Sequence, residues 1–265
     1  MNRWLPMIAI VAGTLTGGAA RGAAVARHQA PGSTAACDAG AMDDPEGARL
    51  RVMARLGGRE AASQPDLAEC LARADALLGL WDEAGALFDG LAAHLGGEAG
   101  MAAHAATLAG EGAQSWLAAH QPKRACASAA TARHLAADDP ALRLLEARVA
   151  LTCDRVALAL SDLAAPFDEP SLEGQALIVR AQALRMAGHP DQAAALADES
   201  LRRHADDPAA LLERGIDRAQ AGSLRAARAD WERVLEIAPD APEANLARQD
   251  LSVMDADPDR SDAAQ

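Results

Sequence analysis

The chain has 265 residues and carries 25 Lys+Arg against 38 Asp+Glu, a formal charge of −13. That length is ample for a buried core, and the acidic balance argues against nucleic acid as a partner, because phosphate binding needs clustered cations. Aromatic residues make up 2 % of the chain, with four Trp, two Phe and no Tyr; β-sheet folds lean on aromatic and β-branched side chains, whereas alanine, the best helix former, dominates here, so the class is all-α.

Residues 1–26 have the pattern of a secretory signal peptide. Arg3 supplies the charged start, Leu5 to Leu15 a short apolar run, and Ala20, Ala24 and Ala26 the small residues at which cleavage is expected. The run is shorter than the ~20 residues of a spanning helix. The expectation is therefore export to a bacterial periplasm, with no membrane span after cleavage. The alternative is an uncleaved segment that anchors the chain in the inner membrane. The first cysteine is Cys37, well beyond the apolar run, which argues against a lipoprotein. The Ala/Arg bias suits a high-GC bacterial gene. Residues 27–43 are polar, small and Gly/Pro-bearing, and read as a flexible lead-in.

Asp44-Pro45 opens a short amphipathic helix within 44–64, with Leu50, Met53 and Leu56 on one side. Asp139-Pro140 and Asp207-Pro208 are helix starts of the same kind. Asp is a preferred N-cap, and Pro suits the first helical turn because its missing N–H had no partner there. Pro140 and Pro208 are 68 residues apart, twice 34, and Asp240-Ala241-Pro242 starts another helix 34 after Pro208. Helix–turn–helix content at a period of 34 indicates a helical repeat. A helix over 242–254 follows, with Leu246, Leu251 and Met254 apolar, and 255–265 is an acidic tail.

Setting repeat position 1 at Pro65, Ala106, Pro140, Gly174 and Pro208 aligns two small positions. Position 8 is Ala72, Ala113, Ala147, Ala181 and Gly215; position 20 is Ala84, Ala125, Ala159, Ala193 and Ala227. Trp116 falls at position 11, Trp81 at position 17, and Phe88 and Trp231 at position 24. Gly79, Gly188 and Gly222 fall at the turn between helices, where His120 stands in the second copy, and Pro239 falls at position 32. In these features the chain resembles the tetratricopeptide repeat family, as an exported bacterial member. The resemblance covers about 65–241, roughly two-thirds of the chain. It implies five repeats (65–98, 106–139, 140–173, 174–207 and 208–241) in an α-solenoid that winds as a right-handed superhelix, with 44–64 and 242–254 as capping helices. There are departures. Position 7, usually Leu, is Gly112, Glu146, Arg180 and Arg214 in four copies. Pro166 and Pro170 should end helix B of the third copy near Ala165. Seven extra residues precede Ala106, which suggests a longer helix A or a loop.

The four cysteines contain no C-x-x-C, so neither a zinc site nor a thioredoxin-like site is indicated. In an exported chain they suggest two disulfides, though buried free thiols also fit. The repeat register implies Cys126 with Cys153, on neighbouring antiparallel helices, which leaves Cys37 with Cys70. No G-x-S-x-G, H-E-x-x-H, P-loop or G-x-G-x-x-G motif is present, and His94, His104, His120 and His134 form no i, i+4 pair. No catalytic residue, metal or cofactor is assigned.

By the same resemblance, positions 2, 5, 9, 12 and 13 of each helix A face a concave groove. Position 5 is Glu69, Gly110, Leu144, Ile178 and Leu212. Candidate partner-binding residues are Arg73, Gln114, Arg148, Gln182, Arg185 and Met186, a mixture that suits a peptide or helix segment of another envelope protein. The expected function is a non-catalytic interaction scaffold or adaptor of the cell envelope. A chaperone-like or regulatory subunit holding a secreted client is the alternative, and an envelope hydrolase a more remote one.

Overall fold

The computed structural model describes residues 43–58 and 63–256. The signal pattern of 1–26, the lead-in up to residue 42 with Cys37, and the tail beyond residue 256 lie outside the described residues. Twelve helices and no strand occur among those described. In chain order they are α1 Pro45–Leu56, α2 Pro65–Leu77, α3 Trp81–Leu95, α4 Ala102–Ala118, α5 Pro122–Leu135, α6 Pro140–Thr152, α7 Val156–Asp162, α8 Pro170–Met186, α9 Pro190–Arg203, α10 Pro208–Gln220, α11 Leu224–Ile237 and α12 Pro242–Asp255. No helix among the described residues is long and apolar enough to cross a membrane. The chain divides into two compact units, which meet between Cys153 and Asp154.

Eight of these helices begin with proline, whose fixed φ is pre-organised for a first turn. Asp44, Asp139 and Asp207 cap their helices with the side chain; Asp139 accepts from the backbone N–H of Ala141 and Leu142, and Asp207 from Ala209 and Ala210. The start at Pro242 differs, because its N-cap is Ala241 and no side chain bonds there. Every turn between helices A and B puts position 15 in the left-handed region: Gly79, Gly188 and Gly222, but also His120 and Asp154, each at φ 57°. The extra residues before Ala106 lengthen helix A, since α4 starts at Ala102. Helix B of the third copy is short, ending at Asp162, and α8 then begins at Pro170, four residues ahead of the repeat boundary at Gly174.

In the N-terminal unit, consecutive helices from α1 to α6 pack against one another. Position 8 and position 20 alanines are fully buried throughout, so helices A and B approach closely, and larger side chains fill the space beside them. Phe88, Leu91, Leu95 and Leu108 form the centre of one cluster, and Trp116 with Val149 that of the next. The Trp116 indole donates to Asp89 at 2.7 Å, and Ser128 donates to the other oxygen of Asp89 at 2.6 Å, so the carboxylate that tryptophan reaches is satisfied on both sides. The terminal helix α1 buries Ala48, Val52 and Leu56, while Leu50 and Met53 are exposed. The stripe expected from Leu50, Met53 and Leu56 is thus corrected to an i, i+4, i+8 row of smaller residues, which lies nearer to α2.

In the C-terminal unit, α8 to α12 pack in sequence around Ile178, Leu211, Leu212, Trp231 and Val234, with Met254 of α12 closing the cluster. Gly215 at position 8 takes the place of alanine because the Trp231 indole lies over it; a Cβ there would come within 2.6 Å of Cδ1.

Candidate partner-binding face

Position 9 of helix A keeps part of its surface open to solvent in every copy, while position 2 (Asp66, Thr107, Ala141, Gln175 and Ala209) is the more exposed. In the N-terminal unit Gln114 is exposed, and Arg73 and Arg148 are half-buried; in the C-terminal unit Gln182 and Ile216 are half-buried, as are Arg185 and Met186 one turn further on. Position 5 behaves otherwise. Glu69, Gly110, Leu144, Ile178 and Leu212 are all buried. The expectation that position 5 faces the groove is corrected: these residues pack between neighbouring helices.

The N-terminal unit carries its charge in a network across α2 and α4. Arg73 pairs with Glu69 at 2.7 Å and with Glu111 at 3.5 Å, and His104 Nε2 lies 2.9 Å from the second oxygen of Glu69. The buried Glu69 carboxylate is thus held by the Arg73 guanidinium and by the His104 imidazole, as a buried charge requires. Its hydrogen bond to His104 raises the imidazole pKa above the usual histidine value, against the opposing effect of burial. Gln114 lies one turn beyond Glu111 on the same helix. Arg148 sits on α6, whose Glu146 pairs with Arg133 of α5 at 3.3 Å. A Cys126–Cys153 disulfide ties α5 to the end of α6, with Cα atoms 6.8 Å apart. Cys70 of α2 is also disulfide-bonded, and Cys37, its expected partner, is outside the described residues.

The C-terminal unit brings a different set together. Arg185 of α8 reaches Glu213 of α10, Nε to Oε1, at 2.8 Å, and Asp217 one turn along at 3.8 Å. Glu213 and Asp217 are buried and Arg185 is mostly so, so this arginine is engaged by the protein's own carboxylates and is not free to clamp a partner's. Burial pushes the Asp217 carboxyl up to about 7, helped by the nearby Glu213 charge and opposed by Arg185. Burial also lifts Asp250 of α12 to about 6. Glu213, Asp217 and Asp250 escaped the sequence reading. As isolated acids on helices they look like solvated faces, and only the packing of α8 and α12 against α10 buries them. Among the described residues no group of three or more His, Cys, Asp or Glu is placed to hold a metal ion.

Paired antiparallel helices at a period of 34 and small residues at both close crossings define a helical-repeat protein. No family model matches the sequence, and no curated protein matches it either. Solved structures do. The chain is similar to the C-terminal part of a TPR repeat-containing protein from Cytophaga hutchinsonii, at 13 % identity and TM-score 0.53, over 77 % of this chain and 79 % of that one. It is similar to MamA at 12 % identity and TM-score 0.51, over 65 % of this chain and 90 % of MamA. It also matches a chain of the APC/C hetero-tetramer Cut9-Hcn1 at 13 % identity and TM-score 0.53, over 78 % of this chain and 40 % of that one. The chain has the tetratricopeptide-repeat fold.

Proposed function

We propose that the protein is a non-catalytic interaction scaffold that holds a peptide or helix segment of another protein along the helix A faces of its repeats. The observation that carries this reading is the partly open position 9 of helix A within each unit. In the N-terminal unit Arg73, Gln114 and Arg148 keep accessible surface, and in the C-terminal unit Gln182 and Ile216 do, while position 5 beside them is buried. Polar and cationic heads beside exposed apolar atoms suit a segment that offers backbone amides and a few apolar anchors. Within each unit the Ala-packed A–B crossings behind these residues give a closely packed support.

The place of action is the cell envelope, with residues 1–26 removed on export. The support is the Arg3-plus-apolar-run pattern and the Cys126–Cys153 disulfide, a bond that persists in oxidising compartments. A photo-reactive amino acid placed at Gln114 or Gln182, and at the exposed helix B residues Ala130 or Glu232, tests the reading in cells. Covalent adducts to one protein from the first two positions and none from the last two support it. Adducts from the helix B positions alone refute it. N-terminal sequencing of the mature chain tests the export: a start near residues 21–27 supports it, and an intact Met1 contradicts it.

A further inference from the structure

The C-terminal unit holds a charge imbalance in its interior. Arg185 of α8 faces Glu213 and Asp217 of α10, and Asp250 of α12 acts on the same guanidinium. Three carboxylates thus share one cation, and Glu213 has the close bond. Both oxygens of Asp217 are buried, and neither has a hydrogen-bond partner among the described residues. Among the described residues no other cation pairs with Glu213, Asp217 or Asp250. From α9, Asp198 adds a negative charge toward Asp217, though Arg214 pairs with it at 3.2 Å; on α11, Asp230 is held by Arg214 and Arg218 at 2.7 Å each. A buried carboxylate in that position is tolerated as the neutral acid and is costly as the anion.

We propose that Arg185, Glu213, Asp217 and Asp250 form a pH-sensitive joint between α8, α10 and the terminal helix α12, closed in mild acid and loosened toward neutral pH. The direction follows from proton binding. When the packing of α8, α10 and α12 opens, Asp217 and Asp250 meet water and ionise near their ordinary values, so between about pH 4 and about 7 the closed form binds more protons than the open one. The closed form is then favoured in acid, its advantage shrinks as pH rises through that window, and it is constant above it. In the neutral state Arg185 and Glu213 are left as a matched pair. With all three acids ionised, the joint carries two uncompensated negative charges. The three helices are consecutive elements of the A row, so the joint sets how firmly the last repeat and its cap hold together.

Hydrogen exchange of the full chain, corrected for the intrinsic pH effect, tests this at pH 5 and pH 7.5. Protection of the 242–255 segment should fall about tenfold or more on going to pH 7.5 in the wild type. It should be the same at both values in Asp217→Asn/Asp250→Asn, whose amides mimic the neutral acids. Equal protection in the wild type at both pH values, or an equal fall in the double variant, overturns the proposal. A carboxyl NMR titration of Asp217 in the wild type provides a test that needs no variant. A midpoint near neutrality supports the joint, and one near 4 overturns it.

Discussion

Gly215 lies face to face with the indole of Trp231, helix A against helix B of the last repeat, with no room for a methyl group between them. The Trp231 Nε1 also reaches the Leu212 carbonyl at 3.4 Å, so the ring is fixed from its polar edge and cannot easily slide aside. Gly215→Ala should therefore destabilise the protein by roughly 1–3 kcal/mol, the cost of overpacking a tight core, although alanine is the better helix former. Urea denaturation followed by Trp fluorescence measures it. A stabilised variant would show that the crossing has slack.

The turn positions predict gains of stability. His120 and Asp154 hold φ of 57° where three other repeats place glycine. Side chains pay a steric cost in that region that glycine does not. His120→Gly and Asp154→Gly should each raise stability by about 0.5–1 kcal/mol in thermal melts.

The Glu69–His104 contact predicts a pH dependence in the N-terminal unit. The hydrogen bond raises the His104 pKa, so its stabilisation is full below about pH 6.5, the unfolded value, and is lost as pH rises through the folded value. An NMR titration of the imidazole should give a midpoint above 6.5 in the wild type and a lower one in Glu69→Gln. Equal midpoints would mean that the pair does not hold in solution.

The Cys126–Cys153 bond closes a separation of 27 residues between α5 and α6. Replacing both cysteines by serine should cost roughly 3.5 kcal/mol by the chain-entropy estimate for a loop of that size. The loss should appear as a lower denaturation midpoint, and non-reducing peptide mapping should recover the linked pair from the wild type.

Much of this fold is legible in the residues. Asp139-Pro140 and Asp207-Pro208 announce helix starts, because capping and proline geometry act within one turn. The fully buried alanines at positions 8 and 20 announce the close crossings, since any larger residue would separate the helices. What depends on neighbouring helices is not legible. Leu50 and Met53 look like a buried stripe but face solvent, because α2 lies against Ala48 and Val52 instead. Glu69, Glu213 and Asp217 look like solvated charges but are buried, because arginines from other turns and other helices reach them. Arg185 read as a groove cation for the same reason; its partners lie 28 and 32 residues downstream in sequence, at Glu213 and Asp217.

The central claim is that a partner docks on the helix A faces around position 9. Its most direct test is calorimetric affinity for the protein captured by the Gln114 and Gln182 adducts, measured with charge-and-bulk variants. Gln114→Arg and Gln182→Arg should each weaken binding by about tenfold or more, the scale of a disturbed interface centre, with helicity and melting point unchanged. Ala130→Arg, exposed on helix B, should bind as the wild type does. Equal affinities for all three variants, or a loss confined to Ala130→Arg, would contradict the account.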